Sequence, residues 1–396
     1  MHNTKINKED HQVTLIAVAK DEACYLHEWI HHHLYMGFDN IIIGINRTTD
    51  DSLKVLTKIT EQYQNVSFEV VDWIDKVTKD KNPIIQQLTY SYLSQKALNE
   101  HNASHLMYLD VDEFWFSKDF TSIHSLLNKY DKINYDIISF NWLCQGGEQE
   151  AYCPPFNNVN FVYSLLVKSM ITKQFFNRSD VIMGCHVPSV GSEQHKVHID
   201  AGGRNFKARK KNKIISSQPH KECFEHYILH RMMRSEREYI STLFGGNPEG
   251  EFIKRNRHKG FEIHSLSLLD IPPAEYYESL NQFIKTCELQ EILSHVRTNK
   301  IHHLENHIKE IDITILNKEY LHAYQGLTGT SFFYLFLSRM LADCKSPLVL
   351  QEIASLISST DIEMGYKLLN KAKKINPEDI KLNLKVRNLN DSLSEQ

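Results

Sequence analysis

Apolar and polar residues fall into alternating blocks along the first half of the chain. Val13 to Ala19 (VTLIAVA) is a β-branched, nearly continuous apolar run, the pattern of a strand buried on both faces. It ends at Lys20-Asp21-Glu22. Between Ala23 and Met36, Leu26, Trp29, Ile30, His33 and Leu34 recur at helical spacing, with Asp21 placed as N-cap and Gly37 as C-cap. A second buried strand, Asn40 to Ile45, follows almost at once. Strand, helix and strand within about 33 residues predict a βαβ unit with a right-handed crossover.

The alternation continues with a helix over 51–63, a strand over 66–71, a helix over 84–99 and a strand over 104–109. From about Tyr135 the pattern is mixed. Strand-like DIISFNW, FVYSLLVKSMI and VIMGCHVP are separated by loop-like stretches such as CQGGEQEAYCPPFNN. Beyond about Ser265 it is helical almost throughout, and Pro272-Pro273 marks the break. Blocks at Ser331 to Asp343, Leu348 to Ser358, Ile362 to Lys374 and Pro377 to Leu389 repeat a helix pair at roughly 30 residues. GYKLLNKAKKINPED resembles the second helix of a tetratricopeptide repeat, and a plain helical bundle explains the same pattern. The expectation is therefore an α/β domain over 1–264 and an all-α domain over 265–396, possessing either tetratricopeptide-like or simple bundle helices at 331–390.

Composition narrows the class. With 396 residues the chain holds two to three domains at about 150 residues each. At 41% apolar and 24% charged it is neither disordered, collagen-like nor a disulfide scaffold. Forty-five Lys and Arg against 49 Asp and Glu give −4, which excludes a general polyanion or polycation binder. Seven cysteines without a CxxC pair point to free thiols in a reducing compartment. The first residues lack an apolar leader core, and no window reaches the roughly 18 apolar residues of a membrane span, so a cytoplasmic location is expected.

Two local features need weighing. His31, His32 and His33 look like a metal tract, but consecutive helical residues point in different directions, and packing is the expected role. The stretch 203–213 carries six positive charges, Arg204, Lys207, Arg209, Lys210, Lys211 and Lys213. It reads as a solvated loop, or as a contact with an anionic acceptor or with the inner face of a membrane. Without interleaved aromatics it does not read as a nucleic-acid site.

The chemistry lies where strands end. In an open α/β sheet the ligand sits beyond the carboxyl ends of the strands. Three such ends carry polar residues here: Lys20 to Glu22, Asn46 to Asp51, and Asp110 to Glu113. A bare pair of acids flanking one residue arises by chance roughly six times in a chain of this composition, so Asp110-Val111-Asp112 gains its meaning from position. An apolar strand feeds it, Glu113 follows, and Phe114-Trp115-Phe116 bury the chain again. Two carboxylates at such a turn form a hard oxygen site for Mn²⁺ or Mg²⁺ that can share the ion with substrate phosphates. An acidic cap on the turn is the structural alternative.

The run AKDEACYLHEWIHHHLYMGFDNIIIGINRTTDDS resembles the opening of bacterial family-2-type and family-92-type glycosyltransferases, departing from their pattern at Asp21, Arg47 and Thr48. Further matches keep the family's order: Gln86 with Thr89-Tyr90, YLDVDEFW at 108–115, NWLCQGG at 141–147, KSMI at 168–171, GCHVP at 184–188, LHRMMRSEREY at 229–239 and KRNRHKGF at 254–261. Together they span about 13–261.

The resemblance implies a GT-A-type doubly wound mixed sheet that binds a nucleotide-sugar donor, expected to be a UDP-sugar, through a divalent ion. Asp110 is then expected at the ribose or the metal, Asp112 at the metal, and His230 as a third ligand. Arg234, on the same helical face as His230, would meet phosphate; Arg231 departs from the family's usual Tyr. Lys20, Glu22, Asn46 and Asp50 would line the base and ribose, with Gln86 and His186 at the same cofactor site. Glu148 is the first candidate for the general base and Asp200 the second. The expected acceptor is a glycan or glycolipid of surface polysaccharide or lipooligosaccharide type, with inversion at the anomeric carbon, and the helical tail would bind a partner or a second copy. A sugar-nucleotide nucleotidyltransferase and a non-catalytic scaffold are the competing readings. The first usually opens with a Gly-rich basic loop, where this chain has KDEAC.

Overall fold

The computed structural model describes residues 11–78, 82–148, 150–153, 161–178, 181–190, 196–209, 212–217, 225–244, 261, 272–310, 326–327 and 329–394. They belong to two compact units. The first comprises 1–145, 152–232 and 264–300, and the second 146–151, 233–263 and 301–396.

The first unit is a mixed α/β sheet with its helices. Its elements begin β1 (Val13–Ala19), α1 (Leu26–Tyr35), β2 (Asn40–Ile45), α2 (Ser52–Thr60), β3 (Val66–Val70), α3 (Ile74–Thr78), α4 (Asn82–Glu100) and β4 (His105–Tyr108). There follow β5 (Glu113–Ser117), α5 (Ile123–Tyr130), β6 (Ile137–Gln145), β7 (Phe161–Thr172) and α6 (Lys173–Phe176). The short strands β8 (Val181–Ile182), β9 (Ser189–Val190), β10 (His198–Asp200), β11 (Ala208–Arg209) and β12 (Asn212–Ser216) then lead to β13 (His226–His230). The main sheet runs β3-β2-β1-β4-β7-β6-β13-β5.

β3, β2, β1 and β4 are parallel neighbours, so their carboxyl ends, from Ala19 to Tyr108, lie along one edge. β7 runs antiparallel between β4 and β6. The apolar runs of β1 and β2 are almost wholly buried, as their lack of alternation requires. α4 packs closely on this layer. Tyr90, Leu93 and Ala97 join Ile16, Ile42 and Leu106 in the core, and a Cβ on Gly44 would stand 2.8 Å from Thr89 Cγ2.

α1 starts later than its pattern predicts because Asp21 is not its N-cap. Asp21 takes φ +56°, and its carboxylate accepts from the Thr49 N–H at 2.6 Å and the Thr49 hydroxyl at 3.1 Å. It ties the loops after β1 and β2 together. Gly37, at φ +86°, closes the helix as expected.

The histidines of α1 are packed. His32 donates from Nε2 to the Trp115 carbonyl at 2.7 Å, and its Nδ1 lies 3.2 Å from the Tyr276 hydroxyl. His33 donates to the Trp29 carbonyl and accepts from the Trp115 N–H. Tyr276 and Ser279, which meets His31 at 2.9 Å, belong to α8 (Ala274–Thr286). The described residues 272–300 therefore group with the first unit, whereas the expected helical domain began at 265. The reason is that the polar side of α1 needs a covering helix with hydroxyl partners.

α9 (Gln290–Glu310) contributes residues to both units. In the second unit, α7 (Glu236–Phe244) stacks Phe244 on Phe336 at 5.4 Å. The helices Phe332–Asp343, Pro347–Ile357, Ile362–Ile375 and Ile380–Ser394 match the predicted blocks closely. Ser346 and Asp361 cap two of them, accepting from the Val349 and Met364 N–H groups. Among the described residues no helix is long and apolar enough to cross a membrane, and six cysteines are free thiols. Cys223 lies outside the described residues, as does most of KRNRHKGF.

Candidate functional site

The acidic motif occupies the tight turn between β4 and β5. Leu109 still pairs with β1 through the Ile16 carbonyl, and the chain then folds back so that the Glu113 N–H donates to the Asp110 carbonyl at 2.9 Å. The Glu113 carboxylate in turn accepts from the Asp110 N–H at 3.0 Å. This reciprocal bracket fixes the turn from inside. The Asp112 carbonyl accepts from the Arg231 N–H at 2.8 Å, which fixes it from β13.

Strand pairing brings three further chains to this turn. β7 passes antiparallel to β4 with Met170 opposite Met107, so Lys168, two residues earlier on β7, emerges beside the turn. Its ammonium lies 3.0 Å from Asp110 Oδ2 and 2.9 Å from Glu113 Oε2, although the side chain is only 1% exposed. Burial alone would push the lysine down, but Asp110 and Glu113 outweigh it and keep it charged. Burial also lifts Glu113 to about 7, against the pull of Lys168. β13 delivers His230 opposite Glu113 and beside Cys144 of β6. Its Nε2 is 3.5 Å from Asp112 Oδ2. Burial would lower this imidazole, yet Asp112 raises it to about 10.

The remaining members come from α4 and from the β8–β9 hairpin. Gln86 donates to Asp110 Oδ1 at 3.1 Å and to the Tyr90 hydroxyl at 3.0 Å, and it accepts from the Cys185 thiol at 2.8 Å. His186 Nδ1 donates to the Val167 carbonyl at 3.0 Å, next to Lys168. Trp142 stands between the two histidines, its ring 4.2 Å from His230 and 5.1 Å from His186. Gly184 permits the hairpin's tight turn, since a Cβ there would meet the Val187 carbonyl at 2.7 Å.

Thus Asp110, Asp112, Gln86, His186 and His230 converge. Lys168, Glu113, Cys185 and Trp142 complete the cluster. Lys168 entered the sequence reading only within KSMI and without a role, and its signal was the lone cation of the strand FVYSLLVKSMIT.

The metal expectation changes in detail. Both Asp110 oxygens are engaged, one by Lys168 and the other by Gln86 and Tyr90. Asp110 is therefore not a free ligand. Asp112 and His230, a carboxylate and an imidazole facing each other across 3.5 Å, are the pair whose donors suit a divalent ion. Among the described residues no three His, Cys, Asp or Glu side chains form a closed metal cage. An ion here would take its remaining oxygens from elsewhere.

Other expected residues lie apart from the cluster or serve the scaffold. Asp50 accepts from the Ala23 N–H and the Ser52 hydroxyl, and Asn46 donates to Asp75, so both knit the loops beyond β1, β2 and β3. Glu22 holds Ser52 and the first turn of α1 through its backbone, whereas Lys20 is exposed at the end of β1. Asp200 ends β10, which pairs with Ser139 on β6, five residues before Cys144. At about 3.3 Å per residue that is about 16 Å along β6 from Cys144, the neighbour of His230. One oxygen of its carboxylate accepts from the Gly202 and Arg204 N–H groups and holds that turn.

His230 ends a strand, and Arg234 follows in a turn at φ +52°, so the two do not share a helical face. Arg234 lies in the second unit, 4.0 Å from Glu238. Glu148 is there too, buried, with its backbone bonded to Arg234 and Glu236. Arg231, the departure from the family pattern, is interior, 3.6 Å from Glu28 and 2.6 Å from the Cys153 carbonyl.

Comparison with known proteins adds little. No family model matches the chain, and no curated protein matches it. Among solved structures it is similar to HddC from Yersinia pseudotuberculosis, with 9% identity over 58% of this chain and 96% of that one, and a TM-score of 0.33. A likeness of that degree carries no argument about activity.

Proposed function

We propose that the chain is a metal-dependent glycosyltransferase of GT-A type, moving a sugar from a nucleotide-sugar, a UDP-sugar in the first instance, to a hydroxyl of a glycan acceptor. The observation that carries this reading is the convergence of Asp110, Asp112, Glu113, Lys168 and His230 beyond the carboxyl end of β4, where α/β sheets bind ligands. Three carboxylates against two cations leave the cluster without excess positive charge. It therefore suits a diphosphate only together with a divalent cation.

Asp112 and His230 would hold that ion, Mn²⁺ or Mg²⁺. When bound, it supplies Lewis-acid stabilisation to the departing diphosphate. Asp110, clamped by Lys168 and Gln86, keeps one oriented carboxylate edge for a ribose hydroxyl. Lys20, Asn46 and the loop around Asp50 would border the base. The Trp142 ring, held between His186 and His230, would form a wall against the transferred sugar. Inversion is the outcome that the family resemblance implies.

The test is a thermal-shift screen of UDP, GDP, CMP and ADP with and without Mn²⁺, on the wild type and on Asp112→Asn. A ligand at 100 times its Kd contributes about 2.7 kcal/mol, a rise of a few degrees at most for a chain of this length. A Mn²⁺-dependent shift with one diphosphate, lost in Asp112→Asn, supports the reading. No shift with any nucleotide would overturn it in favour of a scaffold. Turnover of a sugar 1-phosphate with a nucleoside triphosphate would instead favour a nucleotidyltransferase.

A further inference from the structure

The ladder between β6 and β7 breaks at Trp142. Asn141 pairs with Val167, but Trp142 pairs with Ser164, so Leu165 and Leu166 stand as extra residues on β7. Irregularities of this kind re-aim side chains beside active sites. On its other side Trp142 lies opposite Ile228 of β13, two residues before His230. The ring, 9% exposed, comes to rest 4.2 Å from His230 and 5.1 Å from His186.

The indole N–H of Trp142 is shielded from solvent and has no hydrogen-bond partner among the described residues. Native proteins satisfy the large majority of their buried side-chain donors, and an unmet one at a cluster of polar groups marks a place for a ligand. The other three indoles differ. Trp29 donates to the Glu113 carbonyl at 2.8 Å, and Trp73 is 47% exposed and open to water. Trp115 also lacks a partner, but it is fully buried and stacked on His226. Trp142 carries its unmet donor beside the charged side chains of the cluster.

We infer that the Trp142 indole N–H donates a hydrogen bond to an oxygen of the bound nucleotide-sugar, of its diphosphate or of its sugar, which makes Trp142 a substrate-binding residue as well as a wall. The inference rests on the glycosyltransferase reading. Oxygens of a ligand held at Asp112 and His230 would stand on the His230 side of the ring. Indole is a donor only, so it selects an acceptor oxygen and adds direction without adding charge. Because this donor is already desolvated in the free protein, its bond to a ligand oxygen displaces no water from it.

The experiment is an NMR titration of the full chain carrying ¹⁵N-labelled indoles, with UDP, UDP-glucose and UDP-N-acetylglucosamine in the presence of diamagnetic Mg²⁺. The four tryptophans give four indole N–H signals, and the one missing from Trp142→Phe is assigned to Trp142. Trp142→Tyr serves for the assignment should Trp142→Phe not fold. The Trp142 proton is expected to move downfield as nucleotide binds, while those of Trp29 and Trp115 stay in place. Nucleotide affinity should fall about tenfold in Trp142→Phe, the loss of one hydrogen bond to a ligand. Movement with UDP alone assigns the bond to the diphosphate, and movement only with the UDP-sugars assigns it to the sugar.

A Trp142 signal that stays in place while the same nucleotide raises the melting temperature overturns the inference and leaves the transferase reading intact. That holds even if Trp142→Phe binds more weakly, since the ring would then act by shape alone. Failure of every nucleotide to bind, with Mg²⁺ or Mn²⁺, removes the transferase reading and this inference together.

Discussion

Helix α1 and the end of β13 place the same side chain in similar burial and opposite charge states. His27, His31, His32 and His33 sit among aromatic rings, with carbonyls, hydroxyls and Arg297 as partners. Burial holds His31 down to about 4 and His32 to about 3, with His27 and His33 well below their ordinary value. His230 is desolvated too, yet Asp112 raises it to about 10. For His230 the nearest partner's charge outweighs burial, whereas His186, in the same cluster, is lowered by burial.

The sharpest way to break this comparison is acid. His105 and His198 are held to about 3 and His226 to about 4, so with the four on α1 seven imidazoles are neutral in the fold. Their folded values lie below the ordinary 6.5, so the unfolded chain binds protons first as pH falls. Stability from this source is complete above about 6.5 and declines towards pH 3–4, by about 1.4 kcal/mol per pH unit for each group. The expected result is cooperative unfolding near pH 5, followed by far-UV circular dichroism, with uptake of several protons. Stability unchanged between pH 7 and 4.5 would refute the neutral assignment.

Next in size is Lys168→Met, which leaves Glu113 buried without its counter-charge and should cost about 3–5 kcal/mol in denaturant unfolding. Adding Glu113→Gln should recover most of that loss. If the double variant is as weak as the single one, Lys168 acts by packing alone.

His32→Phe keeps the ring but strands the Trp115 carbonyl, and about 1–3 kcal/mol should be lost with no change in nucleotide-induced shifts. Asp112→Asn removes the charge that holds His230 protonated and should also cost stability at neutral pH. The decisive reading there is NMR titration of metal-free protein, in which His230 should fall from about 10 towards its ordinary value. A raised folded value stabilises below about 6.5 and is lost as pH rises through 10, so wild type and variant should converge in stability only at alkaline pH. The smallest effect belongs to Asp200→Asn, which should loosen its turn by about 0.5–1 kcal/mol and leave nucleotide shifts unchanged. A lost shift would return Asp200 to the site.

Much of the first unit was legible because its signals are local. A continuous apolar run such as Val13 to Ala19 is readable wherever it lies, and β1, β2 and the helix blocks of the second unit fall within a few residues of their predicted bounds. The turn at Asp110 was legible for the same reason, since strand, acids and aromatic run follow one another directly. The misreadings occurred where a residue's role depends on a distant partner. Asp21 has the chemistry of a cap, but a loop 28 residues away uses its carboxylate. His230 and Arg234 have helical spacing, but pairing with β5 and β6 makes the first a strand end.

The amino-acid order by itself determined the parallel strand ends, the acidic turn, the packed histidine helix and the helical second half. Each is encoded in neighbours within about twenty residues. Only the tertiary structure decided that Asp110 is held by Lys168, that Asp112 faces His230, that Asp200 closes the turn after β10, and that the basic stretch borders a cavity. These relations depend on strand register between segments 30 to 120 residues apart, and a charge's meaning depends on the counter-charge that register brings to it.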